Sequence, residues 1–430
     1  ETPDASGGGR AAGPSAAATA MQAGKDKGKQ SAPDDRPKLV RGWSGKVVLP
    51  AHGLGREHKA AVSNISKSGL QTLQTDLRRN GTVEELDLRY NFLSSEDALV
   101  LAGGLEGNRG LRKLTLRNNE ISDAGAVAVA RALKQQEGLK QLNLSSNEIG
   151  DTGGAAIGEL VRSSRTLKHL IARDNRIGPP GGEAIGQAAG RSLSLRSVVL
   201  GLNDIGDAGA TSIAEAMIQG CALTQLDLGS NSITSIGAEH LAEALAHGHS
   251  MQKLDLRVNR IGDEGVKYLM EAVVDHVALQ ELDLSSNVVR DDSIEYILEV
   301  LLQNKVLKKF RLTDNFLSNF AGKEFLRVMQ FNPDLQLVEL KVDDNLMSDN
   351  QKTQIDLFIR TNARELARNR KRRSRSRRAS VESGSDDSKS RAGSKSRSNS
   401  RRPTNSLTGD SRRNSRRSSS RPSSGRHAKQ

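Results

Sequence analysis

Three histidines, His247, His249 and His276, are the residues whose type and spacing come nearest to a metal site. Imidazoles hold zinc, copper or nickel when several converge, usually with a carboxylate or thiolate completing the set. Here no acid or cysteine is placed to complete one, so exposed loop histidines are the expectation and no metal is assigned. The single cysteine, Cys221, has no motif around it and reads as a packed or loop thiol rather than a nucleophile. One cysteine also excludes an intrachain disulfide, which points to a reducing compartment. Neither G-x-x-x-x-G-K-[ST] nor H-E-x-x-H occurs. The expectation is a protein that is not an enzyme and carries no cofactor.

The remaining chemistry is ionic and lies at the C-terminal end. Of the 64 basic and 51 acidic residues, 21 and four fall in residues 368–430, a net of +17, leaving residues 1–367 at −4. That segment also holds 19 serines and almost nothing large and apolar, so it cannot bury enough surface to order itself. Its run from Arg370 to Arg378 is of the kind that binds polyanions or directs nuclear entry. Ser380, Thr404 and Ser415 each follow a pair of arginines at the R-R-x-[ST] spacing used by basophilic kinases and are candidate phosphorylation sites. RNA, acidic lipid and the microtubule surface would all attract such an arm by the same counterion physics. Aromatic residues are only 3% of the chain, which counts against base-stacking nucleic-acid readers. No apolar run approaches the ~18 residues of a membrane span. The chain opens at Glu1 with its first methionine at Met21, leaving open a start upstream, and shows no signal peptide.

The elements that would position these residues declare themselves by repetition. Asn91, Asn119, Asn147, Asn175, Asn203, Asn231, Asn259, Asn287 and Asn315 follow one another at steps of 28, and Asn345 comes 30 later. Each ends a block of the form L-x-x-L-x-L-x-x-N, as in Leu111, Leu114, Leu116 and Asn119. Leucines two apart share one face of a short strand, and stacked copies would form a parallel sheet. The asparagine can satisfy backbone groups left by the turn, forming a ladder. Ten, 11 and 14 residues beyond it, apolar residues such as Val129, Ala130 and Leu133 form one helix face. Four residues beyond it stand Ser95, Asp123, Asp151, Pro179, Asp207, Ser235, Asp263, Asp291 and Asn319, expected as helix N-caps with Pro179 the exception.

This unit, with its I-x-D-x-G turn, resembles the ribonuclease-inhibitor-like subfamily of leucine-rich repeats over roughly residues 60–360. The resemblance implies an α/β solenoid, a curved horseshoe with parallel strands on the concave side and helices on the convex side, used mainly for protein binding. The expected organisation is a disordered low-complexity segment at 1–46, a capping partial repeat at 47–82, ten repeats over 83–362, and a disordered Arg/Ser-rich tail at 363–430.

With the leucines inward, the outward positions read as columns. Arg112, Lys140, Lys168 and Arg196 occupy the second position of four successive blocks, expected on four consecutive strands, and form a basic ladder facing either solvent or an acidic partner. Ile171, Val199 and Leu202 interrupt the polar face with apolar side chains, and a small apolar centre beside a charged rim is interface anatomy. The alternative cover is the N-terminal segment around Trp43 and Val47 to Leu49. The expected function is a monomeric, non-enzymatic adaptor binding a protein on the concave face, tethered electrostatically by residues 368–430. It would be cytoplasmic, with nuclear entry or cytoskeletal or ciliary association open through the tail. One rival is a GTPase activator, because the activators of the Ran GTPase use this repeat subtype. Their repeats are typically followed by an acidic segment, whereas this one is basic. Another is a cytoskeletal or ciliary-axoneme scaffold.

Overall fold

The computed structural model describes residues 59–62, 64–79, 81–332 and 335–386. Among them, eleven three-residue strands form one parallel sheet in chain order. β1 (Lys59–Ala61) and α1 (Lys67–Arg79) stand before the first full repeat. From β2 (Glu85–Asp87) onward, strands recur at the spacing of the asparagines. Leu86, Leu114, Leu142, Leu170, Val198, Leu226, Leu254, Leu282, Phe310 and Leu340 pair successively in one register. These side chains and those two residues on, such as Leu116 and Leu144, are sealed between sheet and helices. A one-residue slip would turn that whole column to solvent, so the register is strongly specified.

Strands are short because the chain turns within three residues of each. The residue before most of the asparagines takes a left-handed conformation, for example Asn118 (φ 54°), Ser146 (φ 55°) and Asp174 (φ 58°). Short polar side chains tolerate that region best. The asparagine then ties its own repeat to the one before. Asn175 Nδ2 donates to Ala172 O (3.0 Å) in its own repeat and Leu144 O (3.1 Å) in the one before. Its Oδ1 accepts from the N–H groups of Asn147 (3.0 Å) and Ile149 (3.1 Å). The ladder weakens at Asn147, whose Oδ1 is buried without a partner. There Ser122, at φ 52°, donates its N–H to the Asn147 backbone oxygen instead (2.9 Å). Gly206 (φ 61°) and Gly262 (φ 63°) make the same turn with no Cβ penalty.

Three expectations need correction. The aspartates four residues after the ladder do not cap their own helices; each caps the next. α4 (Asp151–Ser163) begins at Gly150, which has no side chain to offer, and Asp123 Oδ1 accepts from the Gly150 and Gly153 N–H groups at 2.8 Å. Asp151 does the same for Gly178 (2.8 Å) and Gly181 (3.0 Å), and Asp207 for Thr234 (2.8 Å) and Gly237 (3.1 Å). An exposed helix start is thus capped from the neighbouring repeat. Secondly, the basic ladder does not lie within the strands. β3 begins at Lys113, so Arg112 and its equivalents form the rim just before the sheet. Thirdly, residues 363–386 are helical, because α11 (Asp349–Asp386) continues through the expected start of the disordered tail. Buried Ile355 and Ile359 fix its first turns. No glycine or proline interrupts it before Gly384, while Arg, Lys and Ala favour extension. The N-terminal segment 1–46 with Trp43, and residues 387–430, lie outside the described residues.

Candidate partner-binding face

Backbone bonds hold the basic rim in register. The Lys140 N–H donates to Arg112 O (2.7 Å), Lys168 N–H to Lys140 O (2.8 Å), and Arg196 N–H to Lys168 O (2.9 Å). Four cations therefore stand on neighbouring repeats ~4.8 Å apart. Lys140 and Lys168 are exposed, Arg112 and Arg196 half-buried. Arg196 Nη1 donates to the Leu193 and Leu195 carbonyls at 3.1 Å. Among the described residues none of the four has an acidic partner.

Beside this rim, Ile171 of β5 (His169–Ile171) and Val199 of β6 (Ser197–Val199) are direct Cα partners. Both are half-buried, and as the last residues of their strands they alternate with buried Leu170 and Val198. Leu202 lies apart from that pair, in the turn, left-handed at φ 57° and 43% exposed. The structure therefore brings two of the three apolar candidates together and sets the third at the far end of the block.

The other half of the face neutralises itself. Asp227, Asp255 and Asp283 are successive Cα partners, yet cations thread between them. Arg173 crosses an intervening repeat to reach Asp227 (3.3 Å), and a Cβ at Gly201 would lie 2.4 Å from its guanidinium. Arg311 bridges Asp283 (3.5 Å) and Glu339 (2.6 Å), while Lys253 and Lys309 both reach Glu281 at 3.2 Å. Asp255 has only Arg257 at 3.6 Å. Burial, and then the Asp227 charge, push its carboxyl up to about 6. The two-repeat span of Arg173 escapes the sequence, in which the glycine at Gly201 is the available signal.

Of the three histidines expected to be exposed, His247 and His249 are, but His276 is not. His276 is buried at the far end of its repeat, where Nδ1 accepts from Ala278 N–H (3.2 Å) and Leu279 N–H (2.9 Å), and Nε2 donates to Gly248 O (3.0 Å). Asn108 and Asn304 make the equivalent bonds in other repeats. Burial holds the His276 imidazole below its usual range, so the neutral tautomer with the proton on Nε2 is the one in place. His249 meets it edge-on at 6.2 Å between ring centroids, and His247 bonds its own helix at Glu243 O. No metal-binding group of side chains occurs among the described residues. Cys221 is buried and its thiol is pushed up by desolvation, as expected of a packed thiol. Ser380 lies within α11, and Thr404 and Ser415 lie outside the described residues. No described helix is long and apolar enough to cross a membrane.

Stacked strand–turn–helix units around an asparagine ladder define a leucine-rich-repeat solenoid, and this chain contains one. The leucine-rich-repeat sequence family matches residues 107–130, 139–158, 163–186, 191–214, 221–242, 247–270 and 278–298. Among solved structures the chain is similar to an internalin from Listeria monocytogenes. That likeness is 20% identical, covers 70% of this chain and 84% of the other, and has a TM-score of 0.43. A comparison with curated proteins returned no match. Such solenoids serve in general as protein-interaction scaffolds.

Proposed function

We propose that this protein is a non-enzymatic adaptor that binds an acidic protein partner on the sheet face of its second to fifth repeats. The observation that carries this reading is the asymmetry of the face. In its C-terminal half Arg173, Lys253, Lys309 and Arg311 pair with acids, whereas Arg112, Lys140, Lys168 and Arg196, beside Ile171 and Val199, have none among the described residues. Desolvated apolar anchors hold a partner and rim cations steer it. Capture with the whole chain, followed by mass spectrometry, tests the site. Proteins retained by the native chain should be lost with Val199→Asp at unchanged far-ultraviolet circular dichroism. Lys140→Glu with Lys168→Glu should slow association and flatten its salt dependence. Capture unchanged by both variants would move the site elsewhere. A GTPase or tubulin-associated protein among the lost partners would favour an activator or a cytoskeletal role.

The basic segment 368–430 acts in this reading as an electrostatic tether. Its net +17 should bind polyanions with steep salt dependence. Each phosphate removes about 1.5 to 2 charges, so on the order of ten would neutralise it, at Ser380, Thr404, Ser415 and neighbouring serines. Co-sedimentation with RNA, acidic vesicles and microtubules, with and without residues 368–430, checks this. Binding that survives either deletion or multiple phosphorylation refutes it.

A further inference from the structure

A second surface departs from the repeat pattern without any structural need. The residue after each ladder asparagine stands on the turn edge of the solenoid. In the first repeat it is Phe92, and in the next six it is Glu120, Glu148, Arg176, Asp204, Ser232 or Arg260. In the last three it is Val288, Phe316 and Leu346, which are 37%, 46% and 65% exposed. The repeats remain in register there: Phe316 N–H donates to Val289 O (2.8 Å), and Leu317 N–H to Asn345 Oδ1 (3.0 Å). Three apolar side chains therefore stand in line at roughly the ~4.8 Å repeat spacing. Phe320, the second residue of α10 (Asn319–Phe331), is also exposed.

The fold gains little from this strip. Val288 is a β-branched residue at φ 61°, a conformation that valine adopts at a cost. Ser232 takes the same left-handed conformation at φ 57° with a short polar side chain, so nothing in the stacking asks for valine. An unfavourable backbone at an exposed apolar side chain points toward a use outside folding. Arg290 covers only one side of the strip, with its guanidinium 5.3 Å from the Phe316 ring centroid.

The surroundings select the occupant by charge. Asp314 and Asp344 stand in neighbouring turns, two residues before Phe316 and Leu346, and Asp314 N–H bonds Asp343 O at 2.9 Å. Both are exposed, as is Asp292, and among the described residues none of the three has a cationic partner. Asp343 and Asp349 have lysines at 4.0 and 3.4 Å. An acidic rim repels anionic lipid headgroups and favours lysine or arginine. The ~4.8 Å spacing of the anchors is close to the ~5.4 Å pitch of an α-helix, so one helix face could meet all three. We propose that the turn edge of the last three repeats docks an amphipathic, basic helical segment of a partner protein.

Fluorescence anisotropy with the full chain tests this. The probe is a labelled peptide of roughly 18 residues with leucine at i, i+3, i+4 and i+7 and lysine elsewhere. A companion peptide carries glutamate in place of lysine, and vesicles of phosphatidylcholine with and without phosphatidylserine are tested by flotation. The lysine peptide should bind and the glutamate peptide should not. Phe316→Ser with Leu346→Ser should weaken binding at least tenfold, while Val199→Asp leaves it unchanged. Asp314→Asn with Asp344→Asn should weaken it several-fold and flatten its salt dependence. Phe316, Leu346, Asp314 and Asp344 are exposed, so thermal melting should not move in those two double variants. No binding of the lysine peptide, equal binding of the glutamate peptide, binding indifferent to the apolar pair, or binding of vesicles alone would each overturn the proposal.

Discussion

Capping of one helix by the preceding repeat can be tested by removing the cap and then rebuilding it in a different place. In Asp123→Ala, the Gly150 and Gly153 N–H groups at the start of α4 lose a carboxylate oxygen that lies 2.8 Å from each. Gly150 has no side chain to replace it, although water can reach part of this half-buried site. Loss of an N-cap costs about 0.5–2 kcal/mol, and two charge-assisted bonds put this case in the upper half of that range. For a domain of this size about 1–2 kcal/mol shifts the melting midpoint by several degrees at most. The rescue is Gly150→Ser. Gly150 has φ −100° and ψ −156°, an extended N-cap conformation open to any residue, and Ser94 and Ser318 cap their own helices in this way. A Cβ there would meet the Asp123 carboxylate at 3.2 Å, space that Asp123→Ala vacates. The single change should lower the urea midpoint, followed by circular dichroism, and the double variant should recover most of the loss. A midpoint untouched by Asp123→Ala, or one that Gly150→Ser fails to restore, would refute capping across repeats.

Three further outcomes follow from the same structure. Asp255 titrates at about 6 in the fold against an ordinary 3.8, so the native state holds its proton more tightly than the unfolded chain. Its ionisation therefore lowers stability as pH rises from about 4 to 6, and Asp255→Asn should stabilise the protein at pH 7 by up to about 3 kcal/mol, with little effect at pH 4. His276 has the opposite sign: burial lowers its folded pKa, so stability falls as pH drops below the ordinary imidazole range. His276→Asn should keep the loop bonds that Asn304 makes and remove that acid sensitivity, whereas His276→Ala should cost ~1–3 kcal/mol at every pH; midpoints between pH 5 and 8 separate the two. Asn175→Ala should cost ~1–3 kcal/mol and more than Asn147→Ala, because Asn147 Oδ1 has no bond to lose.

The repeat was legible because its causes are local and recur. Leu114 and Leu116 specify a strand face, Asn119 a turn, and Val129, Ala130 and Leu133 a helix face, and a fixed step of 28 repeats the message. What escaped depends on which repeat answers which. Asp123 lies where an N-cap would be read, but its oxygen serves α4 in the next repeat. Arg173 is two repeats from Asp227, and only the glycine at Gly201 hinted that a side chain crosses there. The end of α11 was misplaced because composition reported charge and serine, while helix already under way extends more easily than it starts.

These errors share a physical origin that also says where function should be sought. In a solenoid the ladder asparagines, the capping aspartates and the buried loop residues satisfy backbone groups from one repeat to the next. Positions outside those columns are released from the fold, since neither stacking nor backbone pairing depends on their side chains. An apolar residue at such a position gains no core contact, and an unpaired cation there bears repulsion from its neighbours. Ile171 and Val199 on the face, Arg112 to Arg196 along its rim, and Val288, Phe316 and Leu346 on the turn edge are all departures of this kind. The first two groups adjoin and define one surface. The third lies on later repeats, with carboxylates rather than cations around it, so the two surfaces suit partners of opposite charge. One rigid stack carrying both would bring an acidic and a basic partner to a fixed separation, which is what an adaptor does.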